Sequence, residues 1–315
     1  MESGSDRIGG LDFQLSPVQY TPRRAGRVEL DELLGAAALI EKGLPLPADL
    51  AAVIHYGTAI GGARPKALID GDGVKSIAKF SLSTDQYNVI GAEFAAMRLA
   101  GICGLNVARV KIAKASGKDV LLIERFDRRV GDAAGDEGWT RRLLLSALTL
   151  LQLDEMTARY ASYEDLADII RRRFTEPKAT LHELFGRIVF NILCGNTDDH
   201  ARNHAAFWDG QKLTRTPAYD ICPQMRLGGE ASQAMLIDGS DRRSRLASCV
   251  AVAKNFMLGE AEAREVIDGQ LAAIRENRDT VFDEAGLAPV DRDLLNQHVF
   301  LSDYAFEGYG DQGSP

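Results

Sequence analysis

The sequence predicts an α+β fold in which a small β-rich lobe precedes a larger, mostly helical lobe. Strand-like runs separated by turn residues dominate residues 66–126, with a single helical pattern among them. From about residue 139 onward, apolar residues mostly recur at the three-to-four spacing of amphipathic helices. The pattern changes across the stretch 127–138, and we therefore place the lobes at residues 1–130 and 131–315.

The elements of the first lobe follow in chain order. Residues 30–54 show helical spacing that Pro45 and Pro47 interrupt. The segment 66–82 predicts a β-hairpin, because two strand-like runs flank a Gly-Asp-Gly turn. The other expected elements are a helix over about 88–100, with Ile90, Phe94 and Met97 on one face, and strands at 105–112 and 119–126.

The second lobe is predicted from helical patterns and one hairpin. The patterns lie at 141–153, 163–172 and 179–195. The third is the clearest, because Thr180 and Glu183 fit a capping box at its start and Gly195 can close its end. A short hairpin is expected around Asp209-Gly210, and helices again over 245–300.

Composition excludes several classes of protein. A formal net charge of −8 over 315 residues argues against the dense basic face of a nucleic-acid binder, so no direct nucleic-acid binding is expected. No apolar run approaches the roughly 18 residues of a membrane span, and the amino terminus lacks the segments of a signal peptide. The four cysteines are scattered without metal-type spacing, which predicts reduced thiols in a cytoplasmic protein.

The densest polar chemistry follows the clearest helix, in the segment 196–208. Phosphoryl transfer requires a carboxylate that orients the attacking hydroxyl and oxygen ligands that hold Mg²⁺ on the phosphates. Asp198 and Asn203 have the Asp-x-x-x-x-Asn spacing of protein-kinase catalytic loops, and Asp220 follows the hairpin as a second metal-binding group. The order helix, loop, hairpin and aspartate therefore fits this chemistry.

The first lobe holds candidates for the groups that bind phosphate. Lys79 lies on an otherwise apolar strand face, which is costly unless the ammonium has a partner, and Glu93 is the candidate. The stretch 61–66, Gly-Gly-Ala-Arg-Pro-Lys, fits neither the Walker pattern nor the dinucleotide fingerprint. Taken alone it indicates a surface turn, but the acidic residues downstream favour a phosphate loop.

The motifs GGARPK, IAKF, LLIERFDR, NTDDHARNH and YDI, in this order, resemble those of HipA-type serine/threonine protein kinases, the toxins of bacterial toxin–antitoxin systems. The resemblance covers about residues 55–225 with motifs and implies a two-lobed, protein-kinase-like fold that uses ATP and Mg²⁺. It implies that Asp198 is the catalytic base and that Asn203 and Asp220 bind the metal. The residues implied to contact ATP are Gly61, Gly62, Ala63, Arg64, Pro65, Lys66, Lys79, Glu124, Arg125, Phe126, His200 and Tyr219.

The resemblance also implies partners and reveals two departures. The family phosphorylates aminoacyl-tRNA synthetases, which arrests translation and growth, and a HipB-like DNA-binding antitoxin is the expected partner. Family members usually carry an N-terminal subdomain ahead of the point where this chain begins, so this piece is either truncated here or a separate small protein. Ala59 occupies the usual site of autophosphorylation, as an engineered change or a natural variant, unless Thr58 has taken over as the acceptor.

Two other functions stay open from the sequence. A metal-dependent phosphohydrolase would use the Asp-Asp-His cluster at 198–200, but this leaves Lys79 and the stretch 61–66 unexplained. A catalytically weak, kinase-like module could bind an antitoxin without transferring phosphate. The presence of Lys79, Asp198, Asn203 and Asp220 together argues against loss of activity.

Overall fold

The computed structural model describes residues 4–23, 30–41, 43–47, 64–71, 73–131, 138–226 and 228–310. Within them the chain combines antiparallel sheets with helices, in agreement with the predicted α+β class. The chain divides into two compact units, Met1–Phe94 with Ala108–Leu144 and Ala95–Val107 with Leu145–Pro315. The boundary predicted from the sequence, between lobes at residues 1–130 and 131–315, stays a prediction. No helix in the described ranges is both long and apolar enough to cross a membrane.

A four-stranded antiparallel sheet is the main sheet of the first unit. Its strands are β1 (Lys66–Gly71), β2 (Val74–Phe80), β3 (Val110–Ala115) and β4 (Lys118–Glu124), in the order β1-β2-β4-β3. The predicted hairpin is confirmed, with Lys66 opposite Lys79. The strand expected at 105–112 begins only at Val110, because Asn106 belongs to the second unit and its backbone there bonds to Glu183 and Ala218.

The first unit also contains one helix and the beginning of a second, whose remainder from Ala95 belongs to the second unit. The helix α1 (Leu30–Glu41) contributes Leu33, Leu34, Ala36 and Ala37 to a buried core that also contains Ala67, Ala78, Phe80, Ala115 and Val120. The helix α2 (Val89–Ile102) confirms the predicted helix, and its three predicted apolar residues are buried. It begins where Asn88 Oδ1 accepts a hydrogen bond from the Gly91 N–H at 2.8 Å, as a helix cap does.

Residues 4–23 contain no helix or strand, and buried charges tie their first part to the first unit. Asp6 contacts Arg125 at 3.0 Å and Arg128 at 2.8 Å. Asp127 contacts the same two guanidinium groups at 2.8 and 2.7 Å and accepts the Gly9 N–H at 2.7 Å. Arg128 also begins β5 (Arg128–Val130), which pairs with β6 (Trp139–Arg141). Because the opposite charges are buried together, each one compensates the desolvation of its partners.

Asp127 is expected to make the stability of the protein sensitive to acid. Burial alone would raise the pKa of its carboxyl, but the hydrogen bond and charge of Arg125, with the charge of Arg128, hold this pKa below its ordinary value. The carboxylate therefore stabilises the fold above its unfolded pKa of about 3.9, and this stabilisation is lost as the pH falls through the folded-state value. We expect Asp127→Asn to lower the free energy of unfolding by about 3–5 kcal/mol at neutral pH.

The control for this prediction is the pH dependence of the free energy of unfolding, which urea denaturation measures for both proteins. The difference in stability between Asp127→Asn and the unmodified protein should shrink as the pH falls, because the unmodified protein loses its carboxylate charge. A difference that stays constant from neutral to acidic pH would contradict the assigned role of the charge.

The second unit is mostly helical. Its helices are α3 (Ala147–Leu150), α4 (Tyr163–Arg173), α5 (Pro177–Leu193), α6 (Leu246–Val252), α7 (Glu260–Glu284), α8 (Pro289–His298) and α9 (Asp303–Phe306), with short 3₁₀ turns at Ala158–Tyr160 and Ala253–Phe256. The strands β7 (Leu143–Ser146), β8 (Ala205–Trp208) and β9 (Leu213–Arg215) are neighbours in that order. The pair β8 and β9 is the hairpin predicted around Asp209-Gly210.

Two local predictions are wrong. The segment 141–153 contains the end of β6, the strand β7 and only four helical residues, because a short apolar run fits a strand as well as a helix. The capping box is also wrong, because α5 begins one turn earlier at Pro177, a residue favoured at the first position of a helix. Thr180 is buried within this helix, and Glu183 pairs with Arg187 at 2.8 Å.

Gly195 closes the end of α5, as predicted. Its φ of +69° lies in the left-handed region, and a Cβ at this position would lie 2.7 Å from the Val299 carbonyl oxygen. We expect Gly195→Ala to lower the free energy of unfolding by more than the roughly 1–2 kcal/mol of left-handed backbone strain. Gly286→Ala is the matched control in urea denaturation, because Gly286 has a φ of +63° and a Cβ added there would meet nothing within 4 Å. Equal losses would contradict the close contact with Val299.

Candidate active site

The loop 196–204, which follows α5, is fastened at both ends. At its start, the Asn196 side chain donates a hydrogen bond to Asn191 Oδ1 in α5 at 3.0 Å. At its end, the Ala147 N–H donates to the His204 carbonyl at 2.7 Å, and the Leu148 N–H donates to Ala201 at 3.1 Å. Because α5 is buried along most of its length, the loop projects from a rigid support.

The adjacent carboxylates of Asp198 and Asp199 have opposite environments. Asp198 is exposed, and within the part of the chain that the structure describes its carboxylate forms no hydrogen bond or ion pair. Asp199 is only 3% exposed and accepts hydrogen bonds from Tyr163 and His204. An accessible carboxylate without a partner can take a proton from an incoming hydroxyl, so Asp198 is the better suited of the two to act as a base.

Asn203 lies close to Asp198 because the loop folds back on itself. Its Nδ2 donates to the Asp198 carbonyl at 3.2 Å, and its backbone N–H donates to the His200 carbonyl at 2.8 Å. Among the described residues, no group donates a hydrogen bond to Asn203 Oδ1. The amide nitrogen is thus held by the loop, while the amide oxygen is the atom with capacity to bind a cation.

Asp220 follows β9 with a left-handed backbone. Its φ of +61° lies in a region that non-glycine residues seldom adopt, although aspartate and asparagine do so more readily than most. The preceding Tyr219 donates its hydroxyl hydrogen to the Arg202 carbonyl at 2.7 Å and so connects Asp220 to the loop 196–204. Burial, together with the charge of Asp220, raises the pKa of Tyr219. His200 Nδ1 is buried and, among the described residues, has no hydrogen-bond partner.

Lys79 and Glu93 form the ion pair that the sequence predicts. Lys79 Nζ lies 2.5 Å from Glu93 Oε1, and the two side chains are 6% and 1% exposed. Lys79 lies on β2 opposite Leu121 of β4, and Glu93 lies in the second turn of α2. The sheet and the helix therefore fix the ammonium group at one point of the first unit.

Only part of the glycine-rich stretch can be placed. Gly61, Gly62 and Ala63 lie outside the described residues, as do Thr58 and Ala59. Arg64 forms a bidentate ion pair with Asp85 at 2.8 and 2.7 Å. The Pro65 carbonyl accepts the Phe80 N–H, and Lys66 begins β1. The end of the stretch is thus part of the hairpin that carries Lys79.

Residues 124–126, at the end of β4 and in the turn before β5, form several contacts within the first unit. The Glu124 N–H donates to the Arg109 carbonyl, and the Arg125 N–H donates to the Lys75 carbonyl. The Arg125 guanidinium is fully buried in its ion pairs with Asp6 and Asp127. Phe126 is half-buried in the turn before β5. A nucleotide contact by Glu124 or Arg125 would therefore have to use other atoms of these residues, such as their carbonyl oxygens.

Local sequence patterns carry no signal for some of these contacts. Asp85, the partner of Arg64, and Tyr163, the partner of Asp199, lie 21 and 36 positions away from the residues that they bind. The cap at Asn88 did have a local signal, since an asparagine directly precedes the apolar periodic run of α2.

The chain matches the family model of the HipA-like C-terminal domain over residues 58–278. It is 29% identical over 246 residues to Y4mE of Sinorhizobium fredii, which is provisionally designated a kinase, across 69% of this chain and 56% of that protein. It is also 29% identical over 167 residues to the serine/threonine-protein kinase toxin HipA of Shewanella oneidensis, across 48% of this chain and 38% of that protein. The chain therefore spans about half, or less, of the length of these relatives.

Among solved structures, the fold is similar to that of a chain in the HipA, HipB and operator DNA complex of the Shewanella oneidensis MR-1 toxin–antitoxin system. The TM-score is 0.60 at 22% sequence identity, and the match covers 75% of this chain and 61% of that chain. This similarity confirms the predicted kinase-like α+β fold. Because the family model matches well over half of its residues, the chain belongs to the HipA-like C-terminal domain family.

Proposed function

We propose that this chain is an ATP- and Mg²⁺-dependent serine/threonine protein kinase that acts as the toxin of a bacterial toxin–antitoxin system. The observation that carries the proposal is the loop 196–204. Its exposed, unpaired Asp198 carboxylate and the Asn203 amide oxygen lie on one folded-back segment among the described residues, in a chain that belongs to the HipA-like family. The kinase name of the relatives supports the same reaction class.

Each candidate site residue of the second unit has a proposed role. Asp198 would accept the proton of the attacking serine or threonine hydroxyl, a contribution typically worth about 10²–10⁴-fold in rate. Asn203 and Asp220 would hold Mg²⁺, which offsets the negative charge of the phosphates when bound. These residues fit such an ion, because Mg²⁺ usually takes one or two carboxylates, substrate phosphates and retained waters rather than an all-protein cage. His200 and Tyr219 are proposed to adjoin the nucleotide.

The first unit would bind ATP. Lys79, which Glu93 orients, is proposed to contact the α- and β-phosphates. The stretch 61–66 is proposed as the phosphate loop, and the support for this role is that its last residues continue directly into β1 beside Lys79. Glu124, Arg125 and Phe126 are proposed to contact the base through their backbone.

The substrate and the partners follow from the family resemblance. An aminoacyl-tRNA synthetase is the proposed substrate, and a HipB-like antitoxin is the proposed partner, since the similar solved chain comes from a HipA and HipB complex with operator DNA. These events are proposed to take place in the cytoplasm.

Induced expression in a bacterial host tests the toxin function. Expression of the unmodified chain is expected to arrest growth, and quantitative phosphopeptide mapping is expected to reveal a new phosphoserine or phosphothreonine on an aminoacyl-tRNA synthetase. Asp220→Asn should restore growth and remove that phosphopeptide at equal protein levels, because asparagine tolerates the left-handed backbone but lacks the charge. Growth arrest that Asp220→Asn leaves intact would overturn the proposal. The same phosphopeptide maps test whether Thr58 is autophosphorylated. A phosphate on Thr58 would identify it as the acceptor in place of Ala59.

A further inference from the structure

Asp199 is a buried carboxylate that none of the proposed catalytic roles uses. It is 3% exposed, and its Oδ2 accepts hydrogen bonds from the Tyr163 hydroxyl at 2.5 Å and from His204 Nε2 at 2.8 Å. The rings of Tyr163 and His204 meet edge to face with centroids 5.7 Å apart. Tyr163 is the first residue of α4, whereas the other two residues belong to the loop 196–204.

The Asp199 carboxylate is buried together with its two partners. A buried carboxylate is destabilising unless hydrogen bonds and an opposite charge compensate it. Burial alone would raise the pKa of Asp199, but the charge of His204 and the hydrogen bonds from His204 and Tyr163 outweigh burial and lower this pKa, so the ionised form is the one that the site stabilises. A loop needs no such charge for stability alone, since an apolar side chain would be buried at less cost.

The placement of these residues along the loop indicates what the charge does. Asp199 shares a peptide bond with Asp198, and His204 shares one with Asn203. The buried hydrogen bond between Asp199 and His204 therefore restrains the chain directly beside Asp198 and directly beside Asn203. Asn203 Nδ2 in turn bonds to the Asp198 carbonyl, which links the two positions directly.

We propose that Asp199, Tyr163 and His204 form a positioning cluster that fixes the directions of the Asp198 carboxylate and the Asn203 amide. This inference rests on the proposed kinase function. In the proposed kinase reaction, these three residues do not contact the reacting atoms. They act through their chain neighbours, and the Tyr163 hydroxyl ties the loop to α4.

The test compares Tyr163→Phe with Tyr309→Phe in the full chain. Tyr309 is the matched control, because its hydroxyl also donates to an aspartate, Asp268 Oδ1 at 3.0 Å, and neither residue belongs to the loop 196–204. We expect Tyr163→Phe to lower kcat by about 10–100-fold, as loss of a residue that supports a ligand does. The KM for ATP should change by less than about threefold, and Tyr309→Phe should leave both constants unchanged. A role confined to stability would lower the unfolding temperature and leave kcat per folded molecule intact.

Amide hydrogen exchange of peptides covering 196–204 provides a readout that is independent of activity. We expect exchange to become at least about tenfold faster in Tyr163→Phe and to stay unchanged in Tyr309→Phe. If the unmodified chain transfers phosphate and Tyr163→Phe keeps its kcat, the positioning cluster is overturned while the kinase proposal stands. If the unmodified chain transfers no phosphate, the kinase proposal fails, and unchanged exchange in Tyr163→Phe would separately refute the fastening of the loop.

Discussion

Replacing Asp198 by asparagine is expected to slow phosphoryl transfer by about 10²–10⁴-fold, the usual contribution of a general base. The substitution keeps the shape of the side chain and removes only its ability to accept a proton. Because Asp198 is exposed and, among the described residues, its carboxylate has no partner, the unfolding temperature should not change. Initial rates with labelled ATP and a thermal melt of the same preparation measure both quantities.

Asp293→Asn is the matched control for this prediction. Asp293 is an exposed aspartate on α8 in the same unit, and its side chain forms no hydrogen bond or ion pair with the described residues. It should retain full activity and stability. Asp198→Asn with more than about a tenth of the normal rate would contradict the assignment of the base, and a large fall in its unfolding temperature would show that the carboxylate has a structural role.

Lys79→Met is expected to lower the free energy of unfolding by about 3–5 kcal/mol, in addition to abolishing transfer. The reason is that Glu93, only 1% exposed, would lose the ammonium 2.5 Å away and keep its buried charge without that compensation. Replacing both partners together, as in Lys79→Met with Glu93→Leu, should recover much of the lost stability, because paired apolar groups remove the desolvation cost. Chemical denaturation measures the stability of the three proteins.

The double variant separates the structural role of the pair from its role in binding ATP. Like Lys79→Met, the double variant should not bind ATP with Mg²⁺ in calorimetry. Its stability should nevertheless approach that of the unmodified protein. Restored ATP binding in the double variant would contradict the phosphate contact of Lys79. A Lys79→Met protein as stable as the original would instead contradict the buried pair.

The parts of the fold that the sequence predicts correctly are those with strong local patterns. The hairpin of β1 and β2 follows from alternating runs around a Gly-Asp-Gly turn, and α2 and the end of α5 at Gly195 follow from helical spacing and turn chemistry. The prediction fails at 141–153, because a short leucine run does not distinguish a strand from a helix without its pairing partner. It also misplaces the start of α5, where Pro177 is the local start signal and the Thr180 and Glu183 pattern is misleading.

For the candidate site, the closeness of Asp198 and Asn203 could be predicted because both residues lie within one short loop, while their catalytic roles stay proposals. The ion pair of Lys79 with Glu93 could be predicted because an apolar strand face requires a partner for a lysine. Distance along the chain explains what was not predicted. Asp6 and Arg128 are 122 positions apart, and the Tyr163 partner of Asp199 lies in a different helix. Such contacts depend on tertiary packing, which no local pattern encodes.

The most direct test of the account follows the γ-phosphate of labelled ATP after incubation with the unmodified chain, Mg²⁺ and a bacterial lysate. Acid precipitation and chromatography separate label on protein from free inorganic phosphate in one reaction. We expect Mg²⁺-dependent label on serine or threonine of a lysate protein, and both chelation by EDTA and Asp198→Asn should remove this label. Label released only as inorganic phosphate would indicate a phosphohydrolase, and ATP binding without any transfer would indicate a binding module. Either result would contradict the kinase assignment.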